Sequence, residues 1–204
     1  MSGYYRRYFE DDNDRVMKDN FEKALRFVLA DEGKFSDIAA DRGGPTNQGI
    51  TLGTLMRYHA HFDYGDFDQD GDVDSDDIRL LDTPEEAAPI YKRWFWDAIR
   101  GDQLPTGVDY VIFDAAVNHG PKNAGKQLQK ALNRWGLDLK VDGSIGPVTI
   151  KAVVDHDGFL VTDSLRERDI FYRKIVTCDP SQEVFFRGWM HRLAKVEANV
   201  KTFI

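Results

Sequence analysis

Apolar residues first recur with a helical period at Phe21, Ala24, Leu25, Val28 and Leu29, a one-sided stripe that predicts an amphipathic helix. Asp19 stands at the cap position with Glu22 three residues on, the spacing of a capping box, and Gly33 closes the helix. The preceding residues, 1–18, are polar and aromatic without a period and read as a mobile arm. From Phe35 to Gly49 the chain is rich in Asp, Gly, Pro and Asn, which predicts a loop or small hairpin. A second helix is expected over about Leu52–His61. Thr83-Pro84-Glu85-Glu86 signals a third, with proline in its first turn, and Pro89 is expected to kink the chain just beyond it. Past Leu104-Pro105, helical patterns run over about 107–118, 122–135, 147–155, 162–177 and 182–202, with Gly and Pro between them. No long strand alternation competes. The fold class is therefore mainly α, with a small β-hairpin region near 35–51, a helical C-terminal region and a soft boundary near Leu104.

Composition narrows the function. A chain of 204 residues builds one core, or a catalytic lobe with an appendage. With 27 basic against 35 acidic side chains, a net of −8, phosphate neutralisation is disfavoured and nucleic acid is not an expected partner. No apolar run approaches the roughly 18 residues of a membrane span, so no membrane insertion is expected. The start, MSGYYRRYFEDDNDR, lacks the apolar core of a signal peptide, which implies synthesis in the cytoplasm and a separate means of release. The single cysteine, Cys178, forms no intrachain disulfide and has no nearby partner for a thiol hydrolase.

The acidity is concentrated. Asp63 to Asp77 holds eight aspartates and no Lys or Arg, so this stretch alone equals the net charge of the chain. Within it, oxygen donors fall at positions 1, 3 and 5, glycine at 6, a carbonyl at 7, an apolar residue at 8 and a carboxylate at 12. That spacing looks like an EF-hand or dockerin calcium loop over 66–77. Asp66, Asp68, Asp70 and Asp77 would ligate by side chain, Asp72 by its backbone oxygen, and Asp74 directly or through water. The expected cofactor is Ca2+, with Mg2+ the alternative because position 12 is Asp rather than Glu. An all-oxygen set argues against zinc or copper, and no organic cofactor is expected.

Glu32, at the end of the first helix, is the most suggestive catalytic carboxyl. It faces the unsatisfied carbonyls of a helix C-terminus, which disfavour a negative charge, and a general acid must carry a proton. Asp41 comes nine residues later in a Gly-rich loop, then Thr46 and Asn47. Two carboxyl groups flanking a cleft are the minimum for glycoside hydrolysis; Asp37 competes with Asp41 as the second. Trp94, Phe95 and Trp96 are too dense for one helix face, so Trp94 and Trp96 are candidates for stacking on sugar. Asp114, Asn118 and His119 end a helix near the boundary. Asn118 is a candidate for an N-acetyl group and Asp114 for substrate, whereas His119 reads as a loop histidine.

The segment FVLADEGKFSDIAADRGGPTNQGIT resembles the opening motif of glycoside hydrolase family 108, the phage endolysin and N-acetylmuramidase family. EEAAPIYKRWFWD resembles its helix ending in aromatics. YVIFDAAVNHGPKNAGKQLQKAL and VDGSIGPVTIKAV resemble its C-terminal peptidoglycan-binding domain. Lys34 and Phe35 replace the family's Gly and Tyr, and Arg42 its proline. The resemblance implies a lysozyme-like α+β fold, a catalytic region over 19–104 and a peptidoglycan-binding region over 105–204 packed on it. It implies a phage-type endolysin, acting as a monomer and cutting the β-1,4 bond between N-acetylmuramic acid and N-acetylglucosamine of the bacterial wall. Glu32 takes the acid position. The loop also resembles the Glu, Asp and Thr arrangement of phage-type lysozymes, in which Asp41 and either Thr46 or Asn47 would hold water. The alternatives are a non-enzymatic calcium-dependent wall-binding or secretion-activating protein, and a virion-associated lysin.

Overall fold

The computed structural model describes residues 12–32 and 45–204, with side chains from Asn20 onward, Asp157 apart. Helix α1 spans Asp12–Leu29. It begins seven residues before the expected cap at Asp19, which shortens the expected arm; residues 1–11 lie outside the described part. The reason is legible in the spacing. Met17, Phe21 and Leu25 continue one i, i+4 row, so the helix propagates through Asp19 rather than starting there. At its far end the turn tightens to i−3 bonds, Asp31 N to Val28 O at 3.0 Å and Glu32 N to Leu29 O at 3.2 Å.

The chain divides into two compact units, residues 25–94 and residues 1–24 with 95–204. In the smaller, β1 (Thr46–Asn47) and β2 (Ile50–Thr51) pair antiparallel, Thr46 with Thr51 and Asn47 with Ile50. Gln48 and Gly49 turn between them at φ of 50° and 71°, the two left-handed residues of a two-residue hairpin loop. The hairpin falls within the expected 35–51 region. Helix α2 (Leu52–Phe62) starts on a Thr51 cap and stops at left-handed Asp63. Helix α3 (Ser75–Leu80) comes directly after the acidic loop with an Asp74/Asp77 capping box, where the sequence pattern alone suggests only loop. Helix α4 (Pro84–Tyr91) has the expected Thr83/Glu86 box. Pro89, which has no N–H to donate, lies in its last turn, and the helix widens directly after it into an i→i+5 segment at Lys92–Trp96. Leu25, Val28, Ile50, Leu55, Ile78, Leu81, Ile90 and Tyr91 are buried here.

The larger unit is built from α5 (Val108–His119), α6 (Pro121–Asn133), α7 (Pro147–Asp155), α8 (Leu160–Cys178) and α9 (Glu183–Val200). Each falls within a few residues of its expected range. Helix α5 is buried on every face from Val108 to Ala116 and is packed by α6, α8 and α9, as a helix apolar all round must be. Phe21, Trp96 and Phe113 form an edge-to-face cluster with centroids 5.3–5.8 Å apart. Such contacts add to the apolar area they bury.

Charge is buried here too. Asp114 is met by Arg168 at 2.6 Å and by Arg192, whose Nε and Nη2 both donate to it at 3.1 Å. Burial pushes the Asp114 carboxyl up, and the two guanidiniums outweigh it and hold the group below the usual range. Arg168 Nε donates to Tyr172 Oη at 2.7 Å, and Tyr172 Oη donates to Asn118 Oδ1 at 2.7 Å. Burial, reinforced by Arg168, pushes His119 down to about 3. At the start of α5, Asp109 Oδ1 accepts from Gly107 N and Tyr110 N at 2.7 Å, and Oδ2 from Asn20 Nδ2 at 2.9 Å.

Burial nonetheless pushes Asp109 up to about 6, against those hydrogen bonds. Its contribution to stability is full below the ordinary carboxylate pKa and is lost as pH rises through 6. Asp109→Asn should therefore be more stable than the parent at pH 8, by up to about 3 kcal/mol, with the gain shrinking below pH 6 and gone near pH 4. Neutral His119 acts oppositely, losing stability as pH falls below about 6.5, but it is common to both proteins and cancels in the difference. Urea unfolding of both across pH 4–8 checks this; a pH-independent difference would show that Asp109 titrates normally.

Candidate active site and acidic loop

Glu32 lies just past the last turn of α1 in the smaller unit, half-buried. Its side chain lies over the hairpin turn. A β-carbon built on Gly49 would stand 2.9 Å from Glu32 Oε2 and 3.1 Å from its Cγ, and 2.7 Å from Tyr91 Oη. The shortest of those separations are below any real Cβ contact, so the acid rests against bare backbone that only glycine supplies. Neither Gly49 nor Tyr91 is singled out by the sequence pattern. The signal available was Gly49, which can take a left-handed turn position, directly before the β-prone pair Ile50-Thr51.

Asp41 and its competitor Asp37 lie outside the described residues, as do Gly33, Lys34, Phe35 and Arg42. Thr46 and Asn47 are both on β1 but differ in surroundings. Asn47 is buried; its Nδ2 donates to Ile78 O at 3.1 Å and its Oδ1 accepts from Gln48 N at 3.0 Å. Both ends of its amide are committed to main chain, whereas Thr46 is only half-buried.

Two of the expected sugar contacts are corrected by burial. Trp96 is 1% exposed, its indole packed on Phe21 and Phe113 and its Nε1 donating to Asp102 at 2.6 Å. It is core, because Gly101 lets backbone press on the indole face. Asp114 is likewise 1% exposed and saturated by Arg168 and Arg192, so it anchors helices rather than substrate. Asn118 is half-buried and holds the Tyr172 hydroxyl. Trp94 is half-buried, edge-on to Tyr58 at 5.6 Å with Arg57 over its ring.

The acidic loop gathers its oxygens in two groups, Asp66, Asp68 and Asp70 in one and Asp72, Asp74 and Asp77 in the other, each within 4.8 Å. Asp72 stands in the second group by its carboxylate, where its backbone oxygen is the donor expected from the spacing. Asp77, at the twelfth position, is buried; Oδ1 accepts from Phe67 N and Oδ2 from Asp74 N. Asp66 Oδ2 accepts from Gly71 N at 3.1 Å, and its buried Oδ1 has no hydrogen-bond partner among the described residues. Desolvation, then the charges of Asp70, Asp77 and Asp66, push Asp68 up; for Asp72 the charge of Asp70 comes first. Crowded hard-oxygen donors with an orphaned carboxylate oxygen fit a divalent cation such as Ca2+ or Mg2+.

Comparisons with known proteins bear on the whole chain. Residues 25–120 match the family model described as glycosyl hydrolase 108, and residues 123–194 one described as a predicted peptidoglycan domain. The solved structure of SagA from Brucella abortus is 30% identical at a TM-score of 0.70, over 91% of this chain and 96% of that one. The chain belongs to glycosyl hydrolase family 108. No curated protein matches it. As a family 108 member with a peptidoglycan domain it is a glycoside hydrolase acting on peptidoglycan, on a mainly α, lysozyme-like scaffold with one small hairpin among the described residues. No described helix is long and apolar enough to cross a membrane.

Asn47→Ala should strand Ile78 O and Gln48 N and lower the unfolding free energy by about 1–3 kcal/mol, while Thr46→Ala, at a half-buried position, should lower it less. Equal unfolding curves for Asn47→Ala and the parent would mean that the hairpin is ordered by something else.

Proposed function

We propose that this family 108 hydrolase is an N-acetylmuramidase, cutting the β-1,4 bond between N-acetylmuramic acid and N-acetylglucosamine, and that it serves as a phage-type endolysin. The observation that carries the reading is Glu32: a carboxyl at a helix end, seated on a glycine of the adjacent hairpin turn. Glu32 protonates the glycosidic oxygen as the bond breaks. Asp41 supplies the second carboxyl, and Thr46 or Asn47 on β1 orients the attacking water. Hydrolysis belongs to the 19–104 region. The 105–204 region grips the wall polymer; Asn118 there and Trp94 in the hydrolytic region are the remaining candidates for contact with it. The protein acts as a monomer, is made in the cytoplasm of the host and reaches the wall after release.

Glu32→Gln should abolish most clearing of purified peptidoglycan while leaving the melting temperature and binding to insoluble wall unchanged. Mass spectrometry of the parent's products should show fragments ending in reducing N-acetylmuramic acid. Clearing by Glu32→Gln within a few-fold of the parent would mean another group is the acid. Binding without products from the parent would favour the non-enzymatic wall-binding reading.

The acidic loop holds Ca2+ through Asp66, Asp68, Asp70, Asp72, Asp74 and Asp77. The ion would neutralise the crowded carboxylates and fasten α3; it supplies structure, not a reaction step. A cation bound by the folded state alone stabilises it by about 2.7 kcal/mol at a hundredfold excess over Kd. EDTA should therefore lower Tm and Ca2+ restore it, with Mg2+ weaker, and the shift should disappear in Asp66→Ala and Asp70→Ala. Identical melts with and without EDTA, and no heat on calorimetric titration, would leave the loop merely solvated.

A further inference from the structure

Resting on the reading of Glu32 as the acid, the structure assigns Tyr91 and Gly49 as positioning residues that fix where its carboxyl stands. Glutamate has three rotatable side-chain bonds, and a half-exposed one samples several rotamers. Here the carboxyl is confined from two sides. Below it is Gly49, whose missing β-carbon lets Glu32 Oε2 and Cγ approach to where they would stand 2.9 and 3.1 Å from such an atom. Beside it is Tyr91, on the last turn of α4 and 1% exposed, with its Oη bordering the same space.

The tyrosine oxygen is itself fixed. Tyr91 Oη donates to Gln48 O at 2.8 Å, so the residue that borders the same space also holds the turn on which the carboxyl rests. The turn's positive φ values, 50° at Gln48 and 71° at Gly49, are the conformation that presents the glycine's bare face. Acid, glycine and hydroxyl form one arrangement in which each member limits the others. Neither Tyr91 nor Gly49 is a catalytic residue; both act by holding Glu32 within the narrow range of positions from which proton transfer proceeds, where a displacement of about 1 Å is worth roughly a hundredfold in rate.

Three variants test it: Tyr91→Phe, which keeps the ring and removes Oη; Gly49→Ala, which fills the seat; and Glu32→Asp, which withdraws the carboxyl from it. Tyr91→Phe should lower kcat by about tenfold to a hundredfold with KM for soluble peptidoglycan fragments unchanged and Tm lowered only by the loss of the bond to Gln48 O, and Gly49→Ala should lower kcat further. In the Glu32→Asp background, adding Tyr91→Phe should produce little additional loss, since coupled residues are not additive. Parental kcat in Tyr91→Phe, or the same fold-loss on the Glu32→Asp background as on the parent, would overturn the assignment while leaving Glu32 as the acid. Full turnover by Glu32→Gln would instead remove the acid reading, and the positioning roles with it.

Discussion

The turn at Gln48–Gly49 is fastened from three directions. Asn47 Nδ2 donates to Ile78 O at 3.1 Å, Gln48 Nε2 to Asp82 O at 2.7 Å, and Tyr91 Oη to Gln48 O at 2.8 Å. A ladder of two residues per strand is far too short to hold itself in water. These side-chain bonds to main chain supply what the ladder lacks, and they draw on the ends of α3 and α4. The placing of Glu32 depends on that fastening, because its side chain leans on the turn rather than on a sheet or a helix face.

The larger unit solves a different problem. Helix α5 is buried all round, and its central charge, Asp114, is shared by arginines from α8 and α9. Burying such groups carries a desolvation penalty of several kcal/mol per ion, and a buried pair is weak evidence of net stability. Two guanidiniums on one carboxylate, with Tyr172 and Asn118 continuing the chain, tie α8 and α9 to α5 at one point.

Helices are largely legible in the sequence because their signals are local: apolar periods for α5 to α9 and the Thr83/Glu86 box for α4. Long-range contacts are not. Nothing in WFWD says which indole faces the core, and Trp96 is core because Phe21 and Phe113, distant in sequence, close on it. Asp114 looks like a polar helix-end residue until Arg168 and Arg192, far along the chain, are brought to it as partners. Tyr91 reads as one more aromatic in the α4 pattern; its role requires the hairpin to be brought beside it. The start of α1 is misread for the opposite reason, a good local cap at Asp19 being overridden by an apolar row that runs straight through it.

Asn47 also joins the two features that the sequence presents separately. The residue it holds, Ile78, is the immediate neighbour of Asp77, whose carboxylate gathers the N–H groups of Phe67 and Asp74 and so closes the acidic loop on itself. The loop is thereby tied to α3, and α3 to the hairpin by a buried hydrogen bond. The acidic loop therefore stands one residue and one hydrogen bond from the turn on which Glu32 rests.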